Sequence, residues 1–586
     1  MDPHSRLNRS VPPKEGEVWM RRPELSHVQA NEPSNQQHDP VAHGLVMAIL
    51  AFAILSSAAV TSVQSQTLTE GMPHLADQGS ATQLVVNGKP FLILAGELGN
   101  SSASVASYLD PYWKNFNEMH MNTVVVPAYW ELIEPSEGHF DFSTIDSAVY
   151  AARRHDLKIV FLWFGSWKNS MSCYVPLWVK TDEKRFPRAR TENGWAQEIL
   201  TPFSTNNRDV DAKAFASFMK HLREIDSQEH TVILVQVENE IGMIPDARDH
   251  SPQADQAFNE NVPAALMNYL EEHKDSLTPE LNERWKDAGS KQSGTWTEVF
   301  GKGTATDEFF MAWYYARYAN HVAAAGKREY PLPMYVNAAL IRPGFKPGQY
   351  PSAGPLPHLM NIWKAGAPNI DFLAPDIYFP TFKEWVDKFY RPDNHFFIPE
   401  CQNTQGIANA YYAIAEDNVM GFSPFAIESV PDPAHNQISQ GYEVLHELTP
   451  LILENQGKGT MRGILLDSAS EEAHITLGDY EFRFQHEDAW RYWHREPGPP
   501  PRVGGLIIEL SPHEFIIAGT GMLVTFRPKT GGESRAGIGY DYLGKFVDGK
   551  WVTKLVLNGD QTNQGRQFFL PGNEFSIQKV RLYTYH

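Results

Sequence analysis

The stretch Val232-Ile233-Leu234-Val235-Gln236-Val237-Glu238-Asn239-Glu240 decides the reading of this chain. It begins as an apolar, β-branched run and closes on polar residues, two of them acidic. Successive strand side chains point to opposite faces, so Gln236, Glu238 and Glu240 are expected on one face and Val235 and Val237 on the other. In a closed parallel sheet the outer face packs on helices, which assigns the polar set to the interior. Glu240 comes last, at the carboxyl end where barrel enzymes place their chemistry. Glu238, one step deeper, reads as a structural partner.

Outward from this strand, short β-like runs alternate with amphipathic helical stretches between residues 75 and 456. The expected strands are 91–97, 122–130, 158–164, 231–240, 334–338, 371–378, 396–400 and 421–428, with helices at 105–120, 145–155 and 209–226 among those between them. This is the pattern of an α/β fold, a (β/α)8 TIM barrel. A hairpin over 83–98 turning at Asn87-Gly88 leads into it, and Thr381 with Glu384 reads as a capping box. Residues 245–303 are too many for a simple connection and are expected as a helical excursion on the catalytic face. From 457 to 586 the pattern changes to short alternating runs (464–467, 481–485, 506–510, 514–518, 522–527), which predicts a C-terminal antiparallel β-sandwich domain, with the Pro-rich 497–501 as a loop.

A second carboxylate stands out at Phe396-Phe397-Ile398-Pro399-Glu400, an apolar run that stops at one charge on a strand's carboxyl end. Packing has no need of that charge. Glycosidic bonds are broken by two carboxyl groups in opposite roles, one protonated to serve the leaving oxygen and one ionised to attack the anomeric carbon. Strands four and seven face each other across a barrel, so Glu240 is expected as general acid/base and Glu400 as nucleophile, with net retention.

Bulk composition narrows the alternatives. The 586 residues are 42% hydrophobic and 12% aromatic, with 15 Trp and 23 Tyr, and such rings suit both cores and sugar stacking. A formal charge of -20 and the lack of any basic stripe argue against nucleic acid as partner. Two cysteines, Cys173 and Cys401, cannot supply a disulfide framework or a cysteine-rich zinc site, and neither HExxH nor paired CxxC occurs. No cofactor or metal is expected. Residues 1–66 form a polar extension followed by an apolar run at 45–55 and small residues to 61, which resembles a signal peptide behind an overlong start. That predicts a periplasmic or secreted protein with no stable membrane association after processing; an uncleaved tether is the alternative, and a homo-oligomer is left open.

The string Val-Gln-Val-Glu-Asn-Glu at Val235–Glu240 resembles glycoside hydrolase family 35, the β-galactosidases. Similar too are Trp130-Glu131-Leu132-Ile133-Glu134-Pro135 with Gly138 and Phe140-Asp141-Phe142, and Pro176-Leu177-Trp178. The resemblance covers about residues 80–450 and implies Glu240 as acid/base, with Asn239 contacting the sugar 2-hydroxyl. Ala95-Gly96-Glu97 and Phe164-Gly165-Ser166-Trp167 replace the family's usual motifs of strands one and three, as in a divergent bacterial branch. It implies removal of terminal β-galactosyl residues, plausibly from xyloglucan-type oligosaccharides or polysaccharides; the rivals are another β-glycosidase (β-glucoside or arabinoside) and a non-catalytic carbohydrate-binding protein. By position, Tyr378 is expected to orient the nucleophile, and Glu97, Trp163, Trp167, Asn169 and Glu428 are further sugar-binding candidates.

Overall fold

A computed structural model describes residues 71–403, 406–487, 501–530 and 534–586. The leader-like run at 45–61 and most of the Pro-rich 497–501 lie outside them. A short three-stranded antiparallel sheet, His74–Gln78, Ala81–Val86 and Lys89–Phe91, opens the described chain. Its second turn is Asn87-Gly88, with both residues at positive φ (51° and 72°) as a tight hairpin demands.

Eight parallel strands then close into a barrel: Ile93–Glu97, Thr123–Tyr129, Lys158–Lys168, Val232–Asn239, Met334–Ala339, Phe372–Ile377, Ile398–Cys401 and Gly421–Pro424. Closure is made where Gly421 and Phe422 pair with Ile93 and Leu94. Every residue of Thr123–Tyr129 and of Val232–Asn239 is buried, as befits strands covered by side chains inside and helices outside. Phe161 and Trp163 of the third strand pack on Phe218 of the helix Thr205–Asp226. That helix lies against the 26-residue helix Thr304–Glu329. Residues 245–303 form the expected helical excursion, carrying Pro252–Asn259, Ala264–Glu272, Pro279–Asp287 and Trp296–Phe300.

Two local readings are corrected. The third strand runs to Lys168 rather than 164, and its register with the fourth slips between Trp163 and Lys168. Thr381 flanks the helix Phe382–Phe389 without a side-chain capping bond; a true capping box joins Thr295 and Glu298.

Beyond the helix Gln437–Asn455 two antiparallel sheets pack face to face. One orders Met461–Leu466, Val503–Ser511, Glu514–Gly519, Ser576–Tyr585, Arg535–Val547 and Lys550–Leu557; the other orders Glu472–Leu477, Tyr480–His486, Met522–Pro528 and Gln567–Leu570. Ile464, Phe482, Phe484, Ile517, Val524 and Phe568 belong to the core between them. The larger sheet also lies on the helix Ile407–Glu416, which follows the seventh barrel strand. Gly463 and Gly504 make this approach close: a Cβ on either would sit 2.6 Å from the Tyr412 carbonyl oxygen or 2.1 Å from that of Ala408. Arg462 pairs with Glu416 across the same seam.

Cys173 and Cys401 are free thiols. Among the described residues no helix is long and apolar enough to cross a membrane.

Candidate active site

The fourth strand reaches the site through a backbone irregularity. Glu238 and Glu240 both adopt left-handed conformations (φ 64° and 45°), costly for residues with a Cβ and held only by the surrounding structure. The first of these turns breaks the alternation of two. Glu238 is rotated into the helix-facing layer, where its Oε2 accepts from the Trp167 backbone N–H at 2.8 Å. There it adjoins Asp211, whose carboxylate accepts from Trp163 Nε1 (2.9 Å) and from the hydroxyls of Ser166 (2.6 Å) and Tyr318 (3.2 Å). Burial, with Asp211 beside it, drives the Glu238 carboxyl well above the usual range. The second turn leaves Glu240 at the barrel mouth, anchored by its N–H to Asn337 Oδ1 (2.9 Å).

Three carboxyl groups meet there. One oxygen each of Glu240, Asp376 and Glu400 lies within 4.8 Å of the other two. Glu240 is 5% and Glu400 6% exposed. Burial and then the charge of Glu400 push the Glu240 carboxyl up to about 7. Asn169, on the turn after the third strand, donates its amide to Glu240 Oε2. Asp376 is raised well above its usual value by burial and by Glu400, Glu240 and Glu97; Asn337 Nδ2 donates to its Oδ2 at 2.6 Å. The Tyr378 hydroxyl donates to Glu400 Oε1 at 2.5 Å. Glu400 Oε2 is buried with no partner among the described residues.

Lys168 is the cation of this cluster. It is buried, its ammonium lies 5.3 Å from the centre of the Phe164 ring, and no carboxylate among the described residues stands within ion-pair distance. Burial opposes its charge, but Glu400, Glu240, Glu97 and Asp376 together outweigh that and raise its pKa. The carboxylate spacing alone would suit a cation, and Lys168 already brings positive charge to the cluster.

Glu97, at the end of the first strand, is buried and pushed well up by burial and by Glu400. Glu428 accepts from the Gly99 N–H (3.1 Å) and the Ser102 hydroxyl (2.5 Å), tying the first loop to the eighth strand's exit. Asn239 is buried with neither amide atom partnered, an arrangement that calls for a bound group. Trp163 and Trp167, expected at the sugar, are instead packing residues on the helix side. Trp163 stacks on Phe218 at 5.6 Å and Trp167 sits edge-on against Tyr318 at 4.5 Å, both wholly buried; Trp163 pairs in register with Val237 and faces the helices with it, and Trp167 lies in the irregular stretch that follows. Glu134 of the Trp130–Pro135 element is scaffolding, accepting from Trp130 Nε1 (2.9 Å) and the Gly138 N–H (2.8 Å).

Lys168, Asp376 and Asn337 escaped the sequence reading. Asp376 shares a face with Tyr378 two residues on, a usable signal; Lys168 lies past the expected end of its strand and gave none.

Comparison with known proteins finds likeness to β-galactosidases over part of the chain. A β-galactosidase of Xanthomonas manihotis is 33% identical over 99 residues, 16% of this chain, and the chain spans only 14% of that relative's length. Crystal structures of β-galactosidases from Marinomonas ef1 (13% identity, TM-score 0.42, covering 61% of this chain and 60% of that one) and Bacillus circulans (13%, 0.43, 62% and 57%) are similar at lower level. Residues 438–569 match a domain family of unknown function, DUF5597. Residues 107–319, which include Glu240, match the glycoside hydrolase family 42 model described as β-galactosidase. That family is not the family 35 of the strand motif, and the likeness common to motif and match is to β-galactosidases.

Proposed function

We propose that this chain is a retaining glycoside hydrolase removing terminal β-D-galactosyl residues from oligosaccharides, with galactosylated plant cell-wall glycans of the xyloglucan type as its natural class. The approach of Glu240 and Glu400 to within 4.8 Å carries the reading. Retaining enzymes hold their carboxyls about 5–5.5 Å apart, while inverting ones leave room for water at roughly 6.5–9.5 Å. Within the β-galactosidases, the Val235–Glu240 string favours family 35. The apolar run at 45–55 favours export.

In this mechanism protonated Glu240 gives its proton to the glycosidic oxygen as Glu400 Oε2 attacks the anomeric carbon. Tyr378, bonded to Oε1, orients that attack and leaves Oε2 unencumbered. Once the aglycone departs, Glu240 is a carboxylate and removes a proton from the water that releases the sugar. Lys168 offsets the negative charge that moves between the two residues, and Asn239 offers its unpaired amide to a sugar hydroxyl. A panel of chromogenic β-glycosides tests the reading: galactoside turnover with retained configuration is expected, and turnover of a glucoside or arabinoside without galactoside would overturn the sugar assignment.

A further inference from the structure

A cavity of about 1270 Å³ opens between the barrel and the C-terminal domain. Pockets for one small ligand run to about 300–1,000 Å³, so this one holds more than a monosaccharide. None of the three carboxylates lines it, but Tyr378, whose hydroxyl binds Glu400, and Gln402, two residues beyond Glu400, stand on its wall. Gln440 of the helix Gln437–Asn455 continues the barrel wall. The facing wall belongs to the C-terminal domain: Glu487, Asn573 and Phe575. Phe575 is half-buried and stacked on Tyr411 at 5.1 Å, and Asn573 is exposed.

The chemistry of this lining is that of sugar recognition. Side-chain amides donate and accept at once, as hydroxyl pairs require, and Tyr378 and Phe575 supply rings on which sugar faces stack. Its charge is acidic, because Asp467, Glu487 and Glu574 face a single Arg502. That guanidinium is already engaged by the Pro380 carbonyl (2.6 Å), Asn409 (3.3 Å) and Asp467 (3.5 Å).

We infer that this cavity is the aglycone site, that the C-terminal domain forms its outer wall, and that it receives a neutral oligosaccharide leaving group in preference to one bearing uronic acids. The inference rests on the proposed glycosidase reading for its orientation, with the terminal sugar at Glu240 and Glu400 and the rest of the chain beyond Tyr378.

The test uses the full chain and two variants from opposite walls, Asn573→Ala and Gln440→Ala. The kcat/KM of each is compared on an aryl β-galactoside and on a galactosylated neutral oligosaccharide. The ratio of oligosaccharide to aryl kcat/KM should fall at least tenfold in each variant, mainly through KM. Ratios within twofold of wild type in both variants would overturn the inference, and a fall confined to Gln440→Ala would overturn the part given to the C-terminal domain. Calorimetry of oligosaccharide binding separates this from the chemistry. If the wild-type chain turns over no galactoside, the glycosidase reading fails, while tighter oligosaccharide binding by wild type than by both variants still supports the cavity. Equal binding by all three, or none, overturns it.

Discussion

Replacing Glu240 by Gln removes the one proton on which the first chemical step depends, and the size of the effect follows from the site. An ordinary glutamate at 4.5 would be only about 3% protonated at pH 6; one pushed up to about 7 is about 90% protonated. The environment therefore raises the competent fraction about thirtyfold before any gain from positioning. In Glu240→Gln the loss of proton transfer should cost about 10²–10⁴ in kcat/KM on galactosides with poor leaving groups. On a dinitrophenyl galactoside, whose leaving group needs no proton, the cost should be under about tenfold. The kcat/KM profile of the wild type should descend above a pH near 7, and the variant should lack that descent. Equal losses on both substrates, or an alkaline limb retained in the variant, would refute the assignment. Stability moves in the opposite sense. A carboxyl raised in the folded state binds more protons than in the unfolded chain, so its contribution is fullest below about 4.5 and is lost as pH rises through about 7. Glu240→Gln should accordingly be more stable than wild type at pH 8, by up to about 3 kcal/mol of unfolding free energy in denaturant melts, with the difference shrinking toward pH 4.

Glu400→Ala should abolish turnover, and added azide should restore it with formation of a glycosyl azide of inverted configuration; a normal rate without azide would remove Glu400 from the nucleophile's role. Lys168 lowers the Glu240 carboxyl against the effect of burial, so Lys168→Met should carry the alkaline limb of kcat/KM upward by about one pH unit or more, since a neighbouring charge is worth about that much. A lower rate with an unmoved limb would make Lys168 a packing residue only. Asp541, buried in the C-terminal domain with neither oxygen partnered among the described residues, is pushed up to about 7 by burial. Asp541→Asn should raise the melting temperature more at pH 8 than at pH 4, and an equal change at both would refute the burial argument.

The barrel was legible because each of its strands carries an apolar run of its own. Positions 240 and 400 were legible because an acid that ends such a run has no packing role. What escaped has physical reasons. Positive φ at Glu238 reverses the face of one side chain, and no alternation rule reports such a turn or the slip before Lys168, so Glu238 was expected inward and Trp167 near the sugar; Trp163 was chosen by its place near a strand end, and its pairing with Val237 turns it to the helices. Lys168 is brought to the cluster by strand residues beyond an apparent end. In the C-terminal domain Arg535–Val547 is broken by Gly537, Gly539 and Gly544, and Lys550–Leu557 is exposed along most of its length. Neither shows the inside-outside rhythm by which its neighbours were found, and only the pairing partners define them as strands.

The two glycines that let the larger C-terminal sheet settle on the helix Ile407–Glu416 bear on how this protein can be dissected. That helix is the return limb of the nucleophile's strand, and shaving the sheet away would wet its apolar flank within seven residues of Glu400. A shortened protein stopping after residue 456 is therefore an unsound route to a minimal enzyme, and a bulky residue at 463 or 504 would pry at the catalytic half from outside it.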